Sequence, residues 1–132
     1  MVKTKNKGTT AERELLHKFW QNNWGCIRIS GSGSVPLPVP DLLAGNKKRW
    51  LAIECKSIAG KSKFLYPDDI DQITKFSNVF GAEPWLGMRF DRKGWFFLRA
   101  DKLSQTKSGN YNVTWNICQE KGISFDQLVT LK

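Results

Sequence analysis

Leu15, Leu16, Phe19 and Trp20 recur at helical spacing, and Thr9 stands three residues before Glu12, the spacing of a capping box. The pattern predicts a helix over residues 10–22, with Glu12 on the flank of its apolar face, where a carboxylate can point inward. Gly25 separates it from Cys26-Ile27-Arg28-Ile29, a short β-branched strand. Residues 30–40, rich in Gly, Ser and Pro, follow neither period and read as a mobile loop. Asp41-Leu42-Leu43-Ala44 and residues 50–57 are apolar runs on either side of Gly45-Asn46-Lys47-Lys48, which makes a hairpin. Residues 60–64 form a basic loop, and Pro67, Asp68 and Asp69 open a second helix with Ile70, Ile73, Phe76 and Phe80 along one face, ending at Gly81. Two strands, 85–90 and 95–99, flank Asp91-Arg92-Lys93-Gly94. Beyond Asp101 the signal weakens to a strand at 111–115 and a short helix after Ser124. The order α-β-β-β-α-β-β predicts an α/β fold, a central mixed β-sheet flanked by helices.

Composition narrows the function. A chain of 132 residues is expected to form one domain, 1–132, large enough for a real core. Lys and Arg number 21 against 12 acids, a net charge of +9, which draws the chain to polyanions. With 12% aromatic residues, among them six Trp and eight Phe, this is no disordered basic tail. Trp20 is read on the core face of its helix and Trp50, Trp85 and Trp95 at strand starts, so core or dimer packing is expected of them. Residues 1–8, with Lys3, Lys5 and Lys7, read as a flexible basic arm with no signal-peptide core behind it. No run approaches the ~20 apolar residues of a membrane span. Cys26, Cys55 and Cys118 are scattered and odd in number, and His17 is the only histidine, which argues against disulfides, a zinc site and a Ser-His-Asp hydrolase. A reduced, cytoplasmic protein without a small-molecule cofactor is expected.

The chemistry gathers at Glu54-Cys55-Lys56. Strand alternation projects Glu54 and Lys56 to one side and Cys55 to the other. A Glu-x-Lys pair alone more often marks a solvated face, but here an apolar run leads into it. Asp41 comes close from across the hairpin, and Glu12 can reach the same place from the first helix. Carboxylates brought together repel unless a divalent cation sits between them. Hard oxygen donors favour Mg²⁺ or Mn²⁺ over zinc. Lys56 could then orient a water or steady negative charge on a phosphodiester.

Pro40-Asp41 followed by Glu54-Cys55-Lys56 resembles the PD-(D/E)XK nuclease motif. The wider pattern is more specific. Residues 7–14 on the first helix, 28–34, 40–46, Phe76-Ser77 with Phe80-Gly81, 108–111 and 126–129 occur in the order seen in archaeal Holliday junction resolvases. This resemblance implies the restriction-endonuclease-like fold and Glu12, Asp41 and Glu54 as acidic metal-site residues. It adds the Cys55 backbone carbonyl as a further ligand and Lys56 as the catalytic lysine. Arg13 and Arg28 match arginines linked to DNA binding or cleavage, and Ser32 matches a serine of a mobile loop that approaches the scissile strand. Phe76 and Phe80 match aromatics of a hydrophobic dimer surface. Members are homodimers that nick opposing strands of four-way junction DNA, a role in recombination and repair that would place the chain with the nucleoid. Cys55 stands where the family often has a plain apolar residue, which a backbone ligand tolerates.

Other positions carry less. Lys47 and Lys48 with Lys61 and Lys63 flank the hairpin and, together with Lys7 and Ser30, are expected along a phosphate-tracking surface. Arg13 reads equally as a surface helix charge, and Phe76 and Phe80 at helical spacing are, on sequence alone, more often core than interface. Two other functions stay open: a related nuclease of flaps, nicks or duplex, and a non-catalytic architectural DNA-binding protein. Membrane-surface binding is more distant, since no basic amphipathic helix stands out.

Overall fold

The computed structural model describes the backbone of residues 2–31, 34 and 36–131, and side chains from residue 8 onward. Helix α1 (Val2–Gln21) packs Ala11, Leu15 and Phe19 onto the sheet, and each such fully buried Leu or Phe contributes ~1.5–3 kcal/mol. The stretch expected to be a basic arm is helical from Val2. Gly8 is the weakest helix former in it, and one glycine costs only ~1 kcal/mol against propagation. Asn23, in the left-handed region at φ 64°, turns the chain out of the helix.

Strands β1 (Gly25–Arg28), β2 (Leu42–Gly45), β3 (Trp50–Ile58), β5 (Glu83–Phe90) and β6 (Gly94–Arg99) form one sheet in the order β1-β2-β3-β5-β6. All neighbours are antiparallel except β3 and β5, so the sheet is mixed, as expected. The crossover between the parallel strands contains β4 (Ser62–Leu65) and helix α2 (Pro67–Phe80). β4 pairs with β7 (Tyr111–Thr114) in a separate two-stranded ribbon, and α3 (Trp115–Lys121) and α4 (Phe125–Thr130) complete the chain. Helices lie on both faces. Leu51 and Ile53 of β3 join Leu15, Phe19, Phe97 and Leu128 on the α1 side. Ala52 and Ile58 join Ile70, Ile73, Leu86 and Met88 on the α2 side.

Three elements depart from the expected pattern. β4 stands in what reads as a basic loop, because only Leu65 of its residues is buried and no alternation shows. α3 begins where a strand is expected to end: the Thr114 hydroxyl accepts a hydrogen bond from the Ile117 N–H, while only Cys118 is buried, too little for a periodic stripe. Trp20 is 58% exposed and Trp50 45%, so neither is core; the Trp20 indole instead donates to the Cys26 carbonyl at 2.9 Å. Trp85 and Trp95 are buried as expected.

Candidate active site

The site forms where β2 ends before β3 does. β2 begins at Leu42, opposite Ile53, so β3 runs on with one edge unpaired by β2. Asp41 closes the corner. Its N–H donates to the Ile53 carbonyl at 3.1 Å, its carbonyl accepts from the Ile29 N–H at 2.8 Å, and its carboxylate accepts from the Cys55 N–H at 2.9 Å. The N–H and C=O of one strand residue point to the same neighbour, so the Cys55 carbonyl faces the edge where Asp41 sits.

Alternation places the rest. Glu54 and Lys56 share the α2 side of β3 with Ala52 and Ile58, and Cys55 packs against the α1-side core. The Lys56 ammonium lies 3.6 Å from Glu54 and 3.8 Å from Asp69. Asp69 is held by its own helix start, where it accepts the Tyr66 N–H at 3.1 Å. Asp69 was legible in the sequence only as a helix-opening acid. Nothing in the sequence signals its second role, because the contact with Lys56 closes only when α2 folds back over the sheet.

The electrostatics are strained in one direction. Burial, and then the charge of Asp41, push the Glu54 carboxyl up to about 8, with Lys56 only partly offsetting them. Burial and the Asp41 charge raise Glu12 as well, against the pull of Arg28. Burial followed by the charges of Asp41, Glu12 and Glu54 pushes the Cys55 thiol up, leaving it neutral and unreactive. Asp41 therefore lies between two glutamates on opposite faces of the sheet and disfavours the ionised form of both.

Glu12 is nevertheless set apart. It accepts a hydrogen bond from Arg28 at 2.8 Å, and Arg28 also reaches the Thr9 hydroxyl at 3.5 Å. Among the described residues no three His, Cys, Asp or Glu side chains converge closely enough to hold one ion. The structure thus brings together Asp41, Glu54, Lys56 and the Cys55 backbone, and gives Glu12 and Arg28 to each other. Two mutually repelling carboxylates and a carbonyl at an open strand edge are hard oxygen donors, a set that fits Mg²⁺ or Mn²⁺.

Of the expected DNA-facing positions, Arg13, Ser30, Lys47, Lys48, Lys61 and Lys63 are exposed. Arg28 is half-buried in its ion pair. Ser32 and the Lys7 side chain lie outside the described residues. Phe76 is half-buried and stacks on Phe80 at 5.2 Å, and Phe80, 47% exposed, meets Trp50 edge-on at 5.6 Å. Phe80 and Trp50 form a surface aromatic patch, and Phe76 joins it to the α2-side core.

The profile of the family described as archaeal Holliday junction resolvase (Hjc) matches residues 3–132. A crossover junction endodeoxyribonuclease Hjc of Archaeoglobus fulgidus is 39% identical over 103 residues, covering 78% of this chain and 76% of that protein. One of Sulfolobus acidocaldarius is 32% identical over 130 residues, covering 97% and 90%. The solved structure of the Archaeoglobus fulgidus Hjc, titled a Holliday junction resolvase, superposes with a TM-score of 0.84 at 31% identity, covering 92% of this chain and 98% of that one. This chain belongs to the archaeal Holliday junction resolvase family.

Proposed function

We propose that this chain is a single-domain endonuclease that binds four-way DNA junctions as a homodimer and cuts two opposing strands by metal-dependent hydrolysis. The observation that carries the reading is the placing of Asp41 and a buried Glu54 together at the open edge of β3, where burial and then the Asp41 charge push Glu54 up to about 8 beside the Lys56 ammonium. A neutral structural role gives no reason to keep so costly a pair. A bound Mg²⁺ or Mn²⁺ would polarise the scissile phosphate and acidify a water. Asp41, Glu54 and the Cys55 carbonyl would hold it. Lys56 places a positive charge where negative charge grows on the phosphate. Glu12, tied to Arg28, adds negative potential from the α1 side and fixes Arg28 beside the site.

Binding would rest on backbone contacts from Arg13, Ser30, Lys47, Lys48, Lys61 and Lys63, with Lys7 and Ser32 joining them, so selectivity would follow shape and not base sequence. The exposed patch of Phe80 and Trp50, which Phe76 joins to the core, is the surface we assign to the second copy. A two-fold dimer presents the same site twice, as two symmetric cuts require. Such an enzyme would work beside the nucleoid in the cytoplasm; among the described residues no helix is long and apolar enough to cross a membrane.

The test is cleavage of a synthetic mobile four-way junction with Mg²⁺, mapped on all four strands, beside flap and linear duplex DNA of equal length. Paired nicks at symmetric positions are expected, and they should vanish with a chelator. Scattered or single-strand cutting would assign the chain to a general nuclease. Binding without any cutting would make it architectural.

A further inference from the structure

β4 and the residue after it carry two aromatic side chains that the fold does not use. Phe64 is 58% exposed and Tyr66 64% exposed, while Leu65 between them is fully buried. The chain is extended through Tyr66, at φ −85° and ψ 154°, so Phe64 and Tyr66 project to the same outward side. Among the described residues neither ring makes an aromatic contact, in contrast to Trp50 and Phe80, which cover each other. Their support is rigid. β4 pairs with β7 in register from Ser62–Thr114 to Leu65–Tyr111, Leu65 and Val113 are sunk in the α2-side core, and the Trp115 N–H donates to the Lys61 carbonyl at 2.7 Å.

Position gives the rings a use. The Tyr66 N–H is held by Asp69, and the other oxygen of Asp69 faces Lys56, so one carboxylate links the ribbon to the candidate catalytic lysine. Exposed Lys61 and Lys63 precede the rings along the same segment, turned by alternation to the side opposite them. Two uncovered aromatic faces on a paired strand, with a basic stretch just before them, suit a nucleic acid whose bases are open to stacking. A continuous duplex offers no free base face along its length, whereas at a branch point the terminal pairs of the arms do.

We propose that Phe64 and Tyr66 form a stacking ledge for the base exposed at the branch point, which registers the junction against the active site. The inference rests on the junction-nuclease reading and adds specificity residues to it. The rings contribute shape preference without reading sequence.

The experiment compares wild type with the Phe64→Ala/Tyr66→Ala double variant on a four-way junction and on linear duplex of equal length. Both DNAs carry 2-aminopurine, at the branch point or mid-duplex. Junction affinity should fall about tenfold while duplex affinity holds, and the branch-point fluorescence change seen with wild type should disappear. The salt dependence of binding should keep its slope, because no phosphate contact is removed. A Phe64→Trp/Tyr66→Trp variant should keep wild-type behaviour, and matched thermal melting separates stacking from misfolding. If the Ala variant melts early, Phe64→Leu/Tyr66→Leu, apolar but unable to stack, should show the same selective loss. Unchanged junction affinity, an equal loss on both DNAs, or a persisting branch-point signal would overturn the ledge. A wild type that shows no preference for junction over duplex would instead remove the reading beneath it.

Discussion

Two half-buried glutamates on adjacent parallel strands meet opposite fates. Glu83, at the start of β5, accepts both forks of Arg49 at 2.8 and 2.9 Å and the Trp85 indole N–H at 3.0 Å, with Arg99 at 3.6 Å. Those donors hold its carboxyl below the usual range. Glu54, level with Leu86 further along β5, has only Lys56 at 3.6 Å and the repulsion of Asp41 and Asp69, and is pushed up to about 8. Burial opposes ionisation in both, more strongly at Glu54; the donors around Glu83 outweigh it, whereas Lys56 only partly offsets it at Glu54. One glutamate is consumed in holding the fold, and the other is left wanting a positive charge. A functional carboxylate in this fold is recognised by what its neighbours fail to supply.

The contrast can be broken at four places. The largest effect should come from Glu54→Gln or Asp41→Asn: junction cutting falls roughly 10²–10³-fold or more, while junction affinity in a gel-shift assay is kept. Cutting by both variants at wild-type rates would reduce Glu54 to a structural residue like Glu83. Next, Arg49→Ala should cost about 2–3 kcal/mol in denaturant unfolding, because it strips Glu83 of its two-pronged partner and frees the Leu128 and Leu131 carbonyls that Arg49 also holds. Its cleavage rate below the melting point should be untouched.

The third effect has a sign that acid-labile proteins lack. The folded pKa of Glu54, about 8, lies above its ordinary 4.5, so the folded chain keeps a proton that the unfolded chain has released. Its contribution is fully present below pH 4.5 and is lost as pH rises to about 8. In chelator, stability should therefore drop between these limits, and Glu54→Gln should flatten the slope. Added Mg²⁺ should restore much of the loss in the parent and little in the variant. The smallest effect is its mirror image. The lowered pKa of Glu83 gives stability that is present above pH 4.5 and lost as pH falls through its folded value. Glu83→Gln should remove about 1 kcal/mol at neutral pH and blunt the acid limb of the melting curve. Identical pH profiles for the two glutamine variants would erase the distinction.

The site was more legible in the sequence than its surroundings. Alternation in β3 gives the shared side of Glu54 and Lys56, and a short hairpin brings Asp41 close, because both depend on near neighbours in the chain. What was not legible depends on distant ones. Asp69 reaches Lys56 only once α2 folds back across the sheet. Arg28 reads as a free DNA contact until α1 lays Glu12 against it. Trp20 has core spacing, yet its ring lies at the margin of the face that α1 buries. β4 left no trace because a ribbon that buries one residue in four has no period to detect. α2, by contrast, is marked at both ends, by Pro67 at its start and by Gly81 at φ 92°, a conformation glycine reaches without strain.

The distances along the chain at which these contacts close have a kinetic consequence. Asp41 reaches Cys55 across 14 residues, whereas Arg49 reaches Glu83 across 34 and Leu128 across 79. Loop-closure entropy favours the shorter span, so the hairpin carrying the two acids belongs to the early folding nucleus and the Arg49 clamp to the last step. Removing the clamp should then accelerate unfolding and leave the refolding rate nearly alone, whereas weakening the hairpin should slow refolding. Arg49 would act as a latch on the native state's lifetime, closed after the acidic corner has formed.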